Sequence, residues 1–195
     1  MRTIVLFFLS LGVIVLPSPG KAQHRELGAH EHGRGTLNIA VEGARISMEL
    51  EVPGDDIVGF EHAAKTKKQK AAVEKAKAQL SAPLALFKLP DAAGCRVTEA
   101  KVEIEAGDHD RAKADEKSAK GEKGNAHAEG DGHSQFHAEY TLECASAGSI
   151  AAIEFPYFRA FAGAKRLDVN LITAKGQTKF EVTRAKPRIS LSGMI

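Results

Sequence analysis

From Phe136 to Glu143 the apolar residues Phe136, Ala138, Tyr140 and Leu142 alternate with His137, Glu139, Thr141 and Glu143. A period of two over that length commits the stretch to a β-strand with one face for the core and one for solvent or a ligand. Its flanks narrow the fold further. Residues 107–133 are rich in Asp, Glu, Lys, Ala and Gly, carry His109, His127 and His133, and contain no large apolar side chain. Such a segment cannot bury enough surface to fold alone and is predicted to be a flexible loop. Cys144 closes the strand, and the chain's other cysteine, Cys95, lies on the far side of the loop.

The same period recurs elsewhere. Leu37, Ile39 and Val41 alternate with Asn38, Ala40 and Glu42, and Ile46, Met48, Leu50 and Val52 alternate with Ser47, Glu49 and Glu51, which predicts a hairpin turning at E-G-A-R. A third strand runs from about Arg96 to Glu105 with Ala100, Val102 and Ile104 inward. Two more carry Leu167, Val169 and Leu171, then Phe180 and Val182, around a K-G-Q turn; Ile189 and Leu191 offer a further edge. The intervening segments have a longer period. Thr66 and Gln69 have capping-box spacing ahead of a lysine-rich helix with Val73, Ala76 and Leu80 on one stripe. Phe155, Phe158 and Phe161 are spaced for a second, short helix, and their cluster reads as core rather than as a docking patch. The expected fold class is α+β, an antiparallel sheet of about six strands with two helical segments in the order ββ-α-ββ-α-ββ.

The N-terminus sets the compartment. Arg2, an apolar run from Ile4 to Leu16, and P-S-P-G-K-A-Q with Gly20 and Ala22 two apart describe a cleaved signal peptide over 1–22. The remainder, 23–195, is expected to be a single exported domain. Export favours a disulfide between Cys95 and Cys144, which closes a loop worth about 4 kcal/mol of unfolded-chain entropy. The competing reading, two thiolate metal ligands, lacks C-x-x-C spacing. If Val102 and Ile104 share the core with Phe136 and Ala138, the two cysteines cannot be a simple directly opposed pair of that ladder. A bulge or an irregular strand end near them is therefore predicted.

The chemistry points to a transition metal. Seven of the eight histidines fall in two groups, His24, His30 and His32 before the first strand and His109, His127, His133 and His137 in or beside the long loop. Imidazole offers a lone pair to Zn²⁺, Cu²⁺ or Ni²⁺ near neutral pH, and zinc takes about four such ligands with carboxylates completing the set. His30 and His32 are two apart and leave one face of an extended segment, as do His137 and Glu139. The metal-ligand candidates are His30, His32, His109, His127, His133, His137 and Glu139. A shared site for His30, His32 and His137 needs the first and fourth strands to be near neighbours. The His30/His32 segment reads equally as a disordered tail. His62 reads as an exposed or satisfied histidine, and Asp55, Asp56 and Glu61 as acids at a helix N-terminus.

Other classes are excluded or weakened. A formal net charge of +2 and the absence of interleaved aromatics in the lysine-rich helix argue against nucleic acid. There is no H-E-x-x-H, G-x-S-x-G or Gly-rich phosphate loop, so an enzyme is not expected. The alternative is a non-catalytic envelope interaction or structural module with incidental histidines.

H-E-H-G-x-G-x-L-N-I-A-x-E-G from His30, P-G-D-D-I-V-G-F-E-H-A-A from Pro53, Q-K-A-A-V from Gln69, L-F-x-L-P from Leu86, A-G-C to Cys95, F-H-A-E-Y from Phe136 and L-I-T-x-x-G-Q from Leu171 resemble the ZrgA-type periplasmic zinc-binding proteins of Gram-negative bacteria. The resemblance spans His30 to about Leu191. It implies a periplasmic, monomeric zinc binder with ligands among the loop histidines and His137, capturing Zn²⁺ for an envelope zinc transporter.

Overall fold

The computed structural model describes residues 31–106 and 133–195. The expected signal peptide and nearly all of the expected flexible loop lie outside the described residues. The first hairpin forms where period two placed it. Strand β1 (Arg34–Glu42) pairs antiparallel with β2 (Arg45–Pro53), with Leu37 opposite Leu50 and Ile39 opposite Met48. Gly43 turns the chain between them at φ +60°, a conformation only glycine adopts freely.

Six further strands follow among the described residues: β3 (Cys95–Ala106), β4 (Ser134–Cys144), β5 (Ala152–Glu154), β6 (Arg166–Thr173), β7 (Gly176–Thr183) and β8 (Arg188–Ser190). One six-stranded sheet has the order β3-β4-β2-β1-β6-β7, and β5 pairs with β8 in a separate two-stranded sheet. Ile189 therefore belongs to that small sheet rather than to an edge of the large one. The large sheet is mixed, not antiparallel, because β6 runs parallel to β1 with Leu37 opposite Val169. Alternation encodes which face a residue occupies and carries no information on strand direction. Polar contacts hold the parallel seam: Arg34 Nε donates to Asp168 Oδ2 at 2.7 Å, and Asn170 Nδ2 donates to Asn38 Oδ1 at 2.8 Å.

The expected bulge is present. Ile104 opposes Phe136 and Glu99 opposes Thr141, yet Val97 opposes Leu142, so the register shifts by one between Val97 and Glu99. That extra residue changes the parity of β3, and Cys95 and Cys144 become directly opposed partners joined by a disulfide. The expectation that they would not be directly opposed is thus corrected by the bulge itself, which lies inside the ladder rather than at the cysteines.

Four α-helical segments occur among the described residues where two were expected: α1 (Gly54–Val58), α2 (Lys67–Leu80), α3 (Pro83–Leu86) and α4 (Tyr157–Ala160). Only α2 is longer than five residues. Thr66 Oγ1 accepts from Gln69 N–H while Gln69 Oε1 accepts from Thr66 N–H, the reciprocal cap its spacing predicts. Ala76 and Leu80 of α2 join Leu86, Phe87, Phe155, Tyr157, Phe158 and Phe161 in the core beneath the sheet's apolar face. Phe87 sits 6.0 Å from Tyr157 and 5.9 Å from Phe155, centroid to centroid. Burying each such ring is worth about 1.5–3 kcal/mol, which assigns the cluster to stability. The opposite face of the sheet stays polar and carries the site.

Candidate metal centre

His137 sits on the polar face of β4, yet its side chain is only 9% exposed. Register explains what surrounds it. Glu51 of β2 lies directly opposite on one side and Glu103 of β3 on the other. The adjacent row on the same face places Glu49, Glu139 and Lys101 side by side. His137 Nε2 is 3.2 Å from Glu139 Oε1 and 3.8 Å from Glu49 Oε1, and His137 Nδ1 is 3.8 Å from Glu51 Oε1.

These distances have a chemical meaning. Only the 3.2 Å contact to Glu139 is a hydrogen bond, which a neutral imidazole makes with its single N–H on Nε2. With that proton on Nδ1 instead, Nε2 turns its lone pair toward Glu139 and Glu49, where an ion can bind. Zinc bonds of about 2.0–2.2 Å to nitrogen and oxygen in a tetrahedron put ligand atoms roughly 3.3 Å apart. The ligand atoms of Glu49, His137 and Glu139 all lie within 4.8 Å of one another, so they can surround one ion. Like charges on neighbouring strands repel, and a dication offsets the repulsion. Lys101 is engaged with Glu103 at 3.1 Å, and that contact raises the lysine's pKa.

Glu49 is oriented from behind. Asn38 Nδ2 donates to Glu49 Oε2 at 3.1 Å, leaving Oε1 toward His137. Glu49 and Glu139 also line an open cavity of about 440 Å³ on the polar face, with Asn38, Ser47, Thr141 and Asn170, so an ion reaches them from solvent.

A second cluster lies at the end of the sheet. His32 Nε2 is 3.0 Å from Glu61 Oε1, and His133 Nδ1 contacts Glu61 Oε2. His32 Nδ1 is 3.9 Å from Asp55 Oδ2. Burial pulls the Glu61 carboxyl up, but the His133 hydrogen bond and the field of His32 outweigh it and hold the group below its ordinary value.

The expected ligands therefore separate. His137 and Glu139 converge with Glu49, whereas His32 and His133 converge on Glu61. His133 is four residues from His137, on the order of 13 Å along an extended chain, and its ring contacts Glu61. The condition for a site shared by His30, His32 and His137, that the first and fourth strands be near neighbours, is not met, because β2 separates β1 from β4. His30, His109 and His127 lie outside the described residues. His62 is exposed, with its ring stacked 5.1 Å from Phe60.

Sequence reasoning missed Glu49 and Glu61. Parity put Glu49 on the polar face of β2 but could not pair it with β4. Glu61 read as a helix acid, but α1 ends at Val58 and Glu61 is in no helix. Asp55 and Asp56 do occupy the first turn of α1.

A family model described as ZrgA family zinc uptake protein matches residues 29–191. No curated protein matches the chain. The matched span holds both clusters and the disulfide.

Proposed function

Because the chain belongs to the ZrgA family of zinc uptake proteins, we propose that it captures Zn²⁺ in the periplasm through Glu49, His137 and Glu139 and passes it to an envelope uptake system. The observation that carries this reading is the spacing of His137 Nε2 from Glu139 and Glu49, 3.2 and 3.8 Å, close to the edge of a zinc tetrahedron. An imidazole with two carboxylates selects a transition ion over Ca²⁺ or Mg²⁺, which prefer oxygen alone. Three protein ligands leave a fourth position for water or for an incoming group of the acceptor, which suits release. The role is binding rather than catalysis, and the monomer is the functional unit. Signal-peptide export supplies the compartment.

Calorimetric titration of the mature protein with zinc chloride near neutral pH tests this. His137→Ala should lose the site, while His62→Ala should bind as the parent does. Binding no tighter than millimolar, or an undiminished His137→Ala site, overturns the reading. The alternative of an interaction module loses its docking surface, since Phe155, Phe158 and Phe161 are all 2% exposed.

A further inference from the structure

We propose that the cavity beside Glu49 and Glu139 holds a small zwitterionic imidazole compound, free histidine being the type, whose ring supplies the fourth ligand of the ion. This rests on the zinc-binding reading above and names the form in which the ion is held. The cavity follows from the strand register. Asn170, Asn38, Glu49 and Glu139 form one row across the polar face, and the next row along the strands is Ile172, Ala40, Ser47, Thr141 and Glu99. Ala40 and Ser47 are small and sit mid-row, so the surface dips there between the exposed Ile172 on one side and Glu99 on the other. The resulting volume of about 440 Å³ lies in the range of small-molecule sites, roughly 300–1,000 Å³. One water on the ion, with a share of about 30 Å³, would use little of it.

Charge selects the class of ligand. The carboxylates of Glu49 and Glu139 balance a dication, and Glu99 adds a third negative charge to the cavity wall. The nearest lysine, Lys101, is held by Glu103 at 3.1 Å. A polyacid is therefore repelled, whereas a positively charged amino group finds a partner in Glu99. The hydroxyls of Ser47 and Thr141 line the same cavity and can donate to a carboxylate. The protein contributes a single imidazole, His137, to the ion, and a second ring nitrogen suits zinc in the open position. Thr141 and Glu99 lie two residues along the strands from Glu139, about 7 Å, a span that histidine covers between its ring and its amino group. Ile172 gives the ring one apolar wall.

The test loads the full mature chain with equimolar zinc chloride and titrates in L-histidine, read by calorimetry and by mass spectrometry under native conditions. A species with the mass of protein, zinc and histidine together should appear, and His137→Ala should abolish it. Glu99→Gln should weaken histidine binding to the zinc-loaded protein by about tenfold or more, the loss expected for one charge-assisted hydrogen bond, and Thr141→Val by about fivefold. Imidazole itself has no amino group, so it should bind the zinc-loaded parent and Glu99→Gln with affinities within about twofold of each other. Histidine that withdraws the zinc without forming the ternary species overturns the proposal, as does a ternary species that survives His137→Ala or keeps its affinity in Glu99→Gln. In those cases zinc chloride alone still reports on the ion site, which stands or falls by its own titration. Failure of zinc chloride alone to bind overturns both readings. Overlapping melting curves assign the losses to binding rather than folding; should Glu99→Gln fail to fold, Thr141→Val decides.

Discussion

Asn38 holds Glu49 by a 3.1 Å hydrogen bond from its amide nitrogen, while its amide oxygen accepts from Asn170 at 2.8 Å. The contact crosses three strands, β6, β1 and β2, and ends on a carboxylate that faces His137. Partners behind a metal ligand typically contribute 10–100-fold to affinity. Asn38→Ala should therefore weaken zinc binding by that factor while costing only about 1 kcal/mol of stability. Calorimetry beside a urea melt of the apo protein separates the two. An affinity within twofold of the parent would mean that Glu49 needs no such orientation.

The disulfide should behave as a purely structural device. Cys144 is seven residues from His137, roughly 23 Å along β4, and the bridge joins an edge strand to its neighbour. Replacing both cysteines with alanine removes a cross-link across 49 residues and should cost about 4 kcal/mol, a melting shift on the order of 10 °C. Zinc affinity should stay within twofold. A matching loss of affinity would show that the edge strand holds the metal centre in register.

The sequence carried the faces of the strands but not their neighbours. Alternation at Leu37, Leu50, Phe136 and Val169 placed each residue inward, and all are buried. Nothing in that pattern says that Val169 lies beside Leu37 in a parallel ladder, because direction comes from how the whole chain closes. The bulge between Val97 and Glu99 was legible because two parity constraints, the cysteines and the core residues, could not both hold without it. His137 and Glu139 were legible as a pair since both belong to one strand. Glu49 and Glu61 were not, since each becomes a neighbour of a histidine only through long-range pairing.

Gly35 illustrates a constraint of packing rather than of turn geometry. A Cβ there would lie 2.4 Å from Val52 Cγ1, 2.9 Å from Leu167 Cδ2 and 3.0 Å from the Glu51 carbonyl oxygen. Gly35→Ala should destabilise by about 1–3 kcal/mol, because β1 is pressed between β2 and β6 at that point. Gly148 has open space around its Cβ position and should tolerate alanine within about 0.5 kcal/mol. Urea midpoints of the two variants make the comparison. Equal midpoints would show that the sheet yields at Gly35.

Asp56 sets a pH dependence whose sign can be worked out. Its side chain is buried, Oδ1 accepts from Gly33 N–H at 2.6 Å, and Oδ2 has no hydrogen-bond partner. Burial raises its pKa above the ordinary 3.8, and the Gly33 hydrogen bond only partly opposes this. The fold therefore prefers the protonated acid. That contribution is fully present below the ordinary value and is lost as pH rises through the raised one. Asp56→Asn keeps an oxygen acceptor for Gly33 and cannot ionise, so it should be spared that loss. Its unfolding free energy, measured against the parent in urea from acid to neutral pH, should gain steadily on the parent and then level off. A difference that stays constant across the range would show that Asp56 titrates alike in both states, and one that shrinks would show that the fold stabilises its ionised form.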